Sequence, residues 1–449
     1  MTRRYFFKSY RRFYRLRCRF RARVSPGGRL LIGVLIASAV FGLDVRKSFA
    51  FQMFALCVTL LVGSLVGAVL TRGRFEVRRS FPRFATRGRH FDYEAEITNV
   101  GKLSAGGVRV REDLDVKLPT FEAFSELREP GFAKRNWFDR YMGYPRWAWV
   151  VRICEGVAAE EFSVPVLRPG ESAKVKLGLT PNRRGQISAR GLTVLLPEPL
   201  GLLRHVIRIA CPDTVLVLPP IIALPILDFG LGRRHRAVGF ADGTTFGGVD
   251  ELKGLREFRP GDPLRRMDWR ASARLGEPMV KEFHDERYGG LTIFLDTDAP
   301  THCERFEDAV TVVASLVAAA PHGDPAELAL VRPASGNVGE FVSTRGRESA
   351  LMTLASVNAA PLAPERQARV VQRSLRADAV IAILQDWDAG RAALVDTLRR
   401  RTDGRVLIAV VREPGAPVRP DVTCLRGDSL AADLAVLLER CRFEAAKAA

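Results

Sequence analysis

The chain has 449 residues, 47% hydrophobic and 27% charged, which is longer than one ordinary core and apolar enough to bury several, so two or three domains are expected. Seven scattered cysteines (Cys18, Cys57, Cys154, Cys211, Cys303, Cys424, Cys441) never form a C-x-x-C pair, which argues against a disulfide framework or a cysteine zinc site and suits a reducing compartment. The net charge of +19 is concentrated before residue 91, leaving only +1 for residues 91–449, a distribution that argues against a general nucleic-acid-binding surface and predicts no specific nucleic-acid partner.

Residues 1–29 form a basic arm with eleven Lys/Arg and no acid, aromatics interleaved with arginines. Two apolar runs follow within 30–71: Leu30 to Leu43, 14 residues, and Phe49 to Thr71, 23 uncharged residues. About 20 apolar residues suffice to cross a bilayer, so the second run predicts a span, and the first, reached through only DVRKS, predicts its partner in a tight transmembrane helical hairpin. Eleven basic residues precede the hairpin and seven arginines follow in 72–90, against Arg46 and Lys47 in its turn. That bias places both ends, and everything after residue 72, in the cytoplasm. An arm of this kind beside a span suits anionic lipid headgroups, with RNA as the alternative.

Residues 74–220 carry short alternating or apolar runs punctuated by Pro, Gly and Asn (FDYEAEITNVG, GGVRVRED, SAKVKLGLTPNRRG, GLTVLLPEPLG, DTVLVLPP). Such spacing predicts an antiparallel β-sandwich of immunoglobulin type. Residues 121–150 interrupt it with an aromatic-rich stretch of weak periodicity, expected to be an insertion packed on the sandwich, with a membrane-touching flap as the alternative.

A junction segment, 221–290, contains LREFRPGDPLRRMDWRASAR. Its Arg259, Pro260, Gly261, Asp262 and Pro263 have the chemistry of a tight turn. Arg265, Asp268 and Arg274 follow at helical spacing, predicted to stack with Trp269 against a neighbour. The expectation is a structural clasp of Arg and carboxylate pairs tying the sandwich to the next domain, with a docking face for a protein partner as the alternative. Ser272 has no histidine in local reach and Asp262 and Asp268 offset the arginines, so neither nucleophilic catalysis nor a nucleic-acid grip is favoured.

From residue 291 to 449 strand-like runs (LTIFLDTD, ELALVRP, GEFVST, ADAVIAILQDW, GRVLIAVVRE, VTCL) alternate with helix-like ones (ERFEDAVTVVASLVAAA, RESALMTLASVNA, APERQARVVQRSLR, AGRAALVDTLRRR, SLAADLAVLLERCRF). This predicts a doubly wound, Rossmann-type α/β domain with ligands beyond the carboxyl ends of its strands. No G-x-G-x-x-G follows the first strand and no G-x-x-x-x-G-K-[ST] occurs, which argues against dinucleotides and P-loop nucleotides. Strand ends supply Asp296, Asp298 and Asp386, carboxylates that could hold Mg²⁺ or another divalent cation.

That arrangement resembles the von Willebrand factor A fold, whose cation loop has Asp-x-Ser-x-Ser. Asp296 matches the first position, Asp298 stands for the first Ser, Pro300 for the second, Asp386 fits the third-loop Asp, and Thr344 is the candidate Thr. The site is therefore degenerate. Two apolar runs, a β-rich region ending in Glu198-Pro199-Leu200-Gly201-Leu202, then Arg256, Gly261, Asp262, Arg265, Trp269, Ala273 and Arg274 in register before an A-like sheet resemble the bacterial domain of unknown function 58 family. The resemblance implies a non-enzymatic inner-membrane protein working beside a MoxR-type AAA+ ATPase, and beside transglutaminase-like membrane proteins, in assembling or maturing client complexes. A metal-dependent hydrolase on Asp296, Asp298 and Asp386 is the alternative.

Overall fold

The computed structural model describes residues 2–41, 48–225 apart from 117, 128, 130, 133 and 134, 251–259, 267–284, 291–298, 304–320, 326–330, 341–343, 347–359, 379–401, 406–411 and 422–447. The chain divides into two compact units, Met1–Pro220 and Ile221–Ala449.

The first unit opens with helix α1 (Thr2–Arg23), then α2 (Pro26–Phe41) and α3 (Ser48–Leu70). One stretch, Phe49–Leu70 in α3, is long and apolar enough to cross a membrane. At 1.5 Å per residue the 16 residues of α2 rise only about 24 Å, short of a hydrocarbon core of about 30 Å. The predicted turn between the two helices lies outside the described residues.

Two sheets follow. The first runs β1 (Phe75–Arg79), β3 (Phe91–Asn99), β7 (Ser172–Pro181), β5 (Val157–Ala159), all pairs antiparallel. The second runs β2 (Phe84–Thr86), β9 (Arg204–Leu218), β8 (Gly185–Pro197), β4 (Arg109–Leu114), β6 (Phe162–Ser163). Alternate residues of both sheets (Tyr93, Ala95 and Ile97 of β3; Leu192 and Val194 of β8; Val215 and Val217 of β9) meet in one core. A buried polar group also joins the sheets: Arg79 of β1 pairs with Glu112 of β4, Tyr93 of β3 donates to the same carboxylate, and the Arg79 guanidinium donates to the Cys211 carbonyl of β9 at 2.7 Å. Burial pushes the Glu112 carboxyl above its usual range, and the Arg79 and Tyr93 hydrogen bonds only partly offset that.

Within the 121–150 stretch and just beyond it lie three helices, α4 (Phe121–Glu126), α5 (Trp137–Met142) and α6 (Tyr144–Glu155). Phe124 and Trp147 bury against α1, forming a cluster with Phe7 and Val151, and the Tyr10 hydroxyl donates to the Met142 carbonyl at 3.1 Å, while Trp137, Phe138, Tyr141 and Tyr144 are exposed. The N-terminal arm is thus a helix with one aromatic face docked within the first unit.

In the second unit a hairpin of β10 (Glu251–Glu257) and β11 (Met279–His284) encloses α7 (Trp269–Leu275). Then come β12 (Leu291–Leu295), α8 (Glu304–Ala319), β13 (Ala326–Leu330), β14 (Phe341–Ser343), α9 (Arg347–Ser356), β15 (Ala379–Leu384), α10 (Ala389–Arg401), β16 (Val406–Val411), β17 (Thr423–Leu425) and α11 (Leu430–Lys447). The strands order as β14-β13-β12-β15-β16-β17, parallel except for the β14 edge. Every residue of β12 and β15 is buried, as expected of strands covered on both faces. The helix predicted over 363–376 lies outside the described residues.

Candidate functional site

Two places in the second unit collect the residues singled out in the sequence. The first is the β10–α7–β11 hairpin. Asp268 opens α7: its carboxylate accepts from the N–H groups of Arg270 and Ala271, both at 3.1 Å, satisfying donors the first helical turn leaves free. Ser272 donates to the Asp268 carbonyl at 2.8 Å and accepts from the Met279 N–H at 2.8 Å, fastening the helix to β11. Gly276 ends the helix at φ +76°, a conformation that suits glycine.

Asp268 is therefore a helix cap. Trp269 is 68% exposed, and Arg259, Arg270, Arg274 and Leu275 are exposed as well. Gly261, Asp262 and Arg265 lie outside the described residues.

The second place is the carboxyl edge of the sheet. The chain moves from β12 outward to β13 and β14 and returns to the other side at β15, so the ends of β12 and β15 flank the point where strand order reverses. Asp296, 2% exposed, closes β12. Its carboxylate accepts from the Asp298 N–H at 2.9 Å, the Gln385 N–H at 3.2 Å and Nε of Arg391 at 2.7 Å.

Arg391 reaches this edge from the first turn of α10. It donates to the Asp298 carbonyl at 2.8 Å, stands 3.4 Å from the Asp298 carboxylate and pairs with Asp388, which caps α10 through the Arg391 N–H at 2.8 Å. Burial pushes the Asp296 carboxyl above its usual range, with the Arg391 charge holding it back in part. Burial likewise opposes the Arg391 charge, but Asp296 and Asp388 more than offset it, leaving the guanidinium more basic than usual.

So Asp296 and Asp298 converge, around a guanidinium that the sequence reading did not single out. Asp386 lies on the same edge, its carboxylate accepting from the Trp387 N–H at 2.8 Å, and Thr344 is outside the described residues. Among the described residues, the buried Gln385 finds no hydrogen-bond partner for its Oε1. Among the described residues no three His, Cys, Asp or Glu side chains are grouped to hold a metal ion.

Both places fall within residues 254–405, which match the family described as Protein of unknown function DUF58. The uncharacterized protein YeaD of Bacillus subtilis (strain 168) is 25% identical over 165 residues, 36% of this chain and 39% of that protein. Among solved structures, the CARDB domain of the PF1109 protein from Pyrococcus furiosus is 13% identical with a TM-score of 0.18, over 32% of this chain and 93% of that one. The β-glucosidase from Listeria innocua is 14% identical with a TM-score of 0.17, over 32% of this chain and 16% of that one. Scores this low bear on neither fold nor function.

Proposed function

We propose that the chain is a non-enzymatic, membrane-anchored adaptor that works with a MoxR-type AAA+ ATPase in assembling or maturing protein complexes. The observation that carries this reading is the exposure of Trp269 on a well-capped helix among exposed arginines. Trp and Arg are the residue types that dominate protein-binding hot spots, and water is a costly neighbour for an indole that size. The family resemblance suggests the class of partner. Arg391, set among the carboxylates at the sheet edge, supplies from within the chain the positive charge that a catalytic cation would bring, so the hydrolase alternative finds no support there.

In this reading α2 and α3 form a two-span hairpin in a bacterial inner membrane, α2 shortened but extended by the snorkelling of Arg29, and both soluble units lie on the cytoplasmic side. The two-sheet unit is immunoglobulin-like and the α/β unit von Willebrand A-like. The arginines of α1 that face away from its aromatic contacts meet anionic headgroups. The test is co-purification in mild detergent. An AAA+ ATPase should be recovered with the native chain, and Trp269→Ala should weaken its recovery by on the order of tenfold, the scale of a hot-spot aromatic. Equal recovery by the variant, or no ATPase in crosslinked pulldowns, overturns the proposal.

A further inference from the structure

The β8–β9 turn, Glu198 to Leu203, is organised around a carboxylate. Glu198, 3% exposed, accepts from the N–H groups of Leu200, Leu202 (2.7 Å) and Leu203 (3.1 Å). Its fourth donor belongs to a helix: the buried Ser64 hydroxyl of α3, at 2.7 Å. The turn also touches the start of α2, where the Ser25 N–H donates to the Leu202 carbonyl at 2.9 Å and Val24 bridges Leu203.

The fit depends on small residues. A Cβ on Gly28 would stand 2.2 Å from the Leu202 carbonyl oxygen, so only glycine admits that approach. A Cβ on Gly67 would stand 3.5 Å from Glu198 and Pro199, and one on Gly63 3.8 Å from the Leu200 side chain.

These contacts fix a height. Gly63 and Ser64 precede the end of α3 at Leu70 by six to seven residues, about 10 Å along the helix axis. Exposed Arg72 and Arg74 follow that end, and arginines beside a span sit at the headgroup level. Leu200, which packs at Gly63, is therefore below the arginines, and it is 51% exposed, as Val62, Leu65 and Val66 of α3 are also exposed. Its polar neighbours are already satisfied: the Glu198 carboxylate has four donors, which is what burial away from water requires.

We propose that the tip of the β8–β9 hairpin is a membrane wedge, its Pro199-Leu200 corner lying among lipid acyl chains beside α3. The occupant is lipid because Leu200 is exposed and apolar where it packs at Gly63, on a helix whose Val62, Leu65 and Val66 are likewise exposed and apolar. This inference rests on α3 being a span.

The experiment places p-benzoylphenylalanine at Leu200, at Val66 on α3, or at the exposed Leu103 in the β3–β4 loop, in the full chain reconstituted into phosphatidylglycerol-containing nanodiscs. Only material that elutes as a single folded species is irradiated. Lipid adducts at 200 comparable to those at 66, and at least tenfold above those at 103, are expected. Lipid adducts at 66 with none above the 103 level at 200, or protein adducts at 200, overturn the wedge and leave the span intact. Loss of lipid adducts at both 66 and 200 overturns the span itself.

Discussion

Arg391 is held on three sides by Asp296, Asp298 and Asp388, so the buried charge that closes β12 is compensated from within the chain. Removing one partner of a buried pair leaves an uncompensated charge, which costs about 3–5 kcal/mol. Arg391→Met should therefore lower the melting temperature, and added Mn²⁺ should restore part of it, because the carboxylates left without the guanidinium would attract a cation. The native chain should show no such response to Mn²⁺. A calorimetric Mn²⁺ signal in the native chain that Asp296→Ala abolishes would overturn this. Asp296 and Asp298 were legible as strand-end carboxylates, since a Val/Ile/Leu run ending in acid is a local signal. Arg391 was not, because it stands 95 positions from Asp296 and only the pairing of β12 with β15 brings them together.

At the scale of elements, the α/β alternation was read from hydrophobic runs after residue 290, and the described strands and helices from Leu291 onward fall on them. The first unit was harder. β9 begins at Arg204, well before the DTVLVLPP run, because its early residues alternate with charges and histidine and pair with β8 all the same. The aromatic face of α1 had a signal: Phe7, Tyr10 and Tyr14 recur at helical spacing, but the arginines between them dominate the reading. In α11, Asp433 accepts from the Arg426 N–H at 2.9 Å, from its guanidinium at 3.2 Å and from the Ser429 hydroxyl at 2.9 Å. Burial raises this carboxyl, but those hydrogen bonds outweigh it and hold the group below its usual range. A depressed carboxyl stabilises the fold fully above its unfolded pKa of about 3.9 and loses that contribution as pH falls through its lower folded value. Asp433→Asn should accordingly cost about 2 kcal/mol at pH 7, the scale of a hydrogen bond to a charged group. In urea denaturation the gap between native chain and variant should narrow at pH 3; a gap independent of pH would refute the assignment.

For the whole molecule, the orientation proposed above rests on the basic residues that precede α2 and follow α3 in the sequence. A green fluorescent protein fused after Ala449 should fluoresce in a bacterial host, and alkaline phosphatase fused at the same point should be inactive. The reverse pattern would place the soluble units outside the cytoplasm. The docking of the β8–β9 tip on the helix ends was not legible in the sequence, because Ser64 and Glu198 lie 134 positions apart. That separation has a temporal meaning. A chain made from its N-terminus presents α2 and α3 long before Glu198 is synthesised, so the seat for the tip exists before the tip does. The two-sheet unit thus completes its β8–β9 hairpin on helices already in place, and a fault in those helices would surface as a late defect in a distant β-turn.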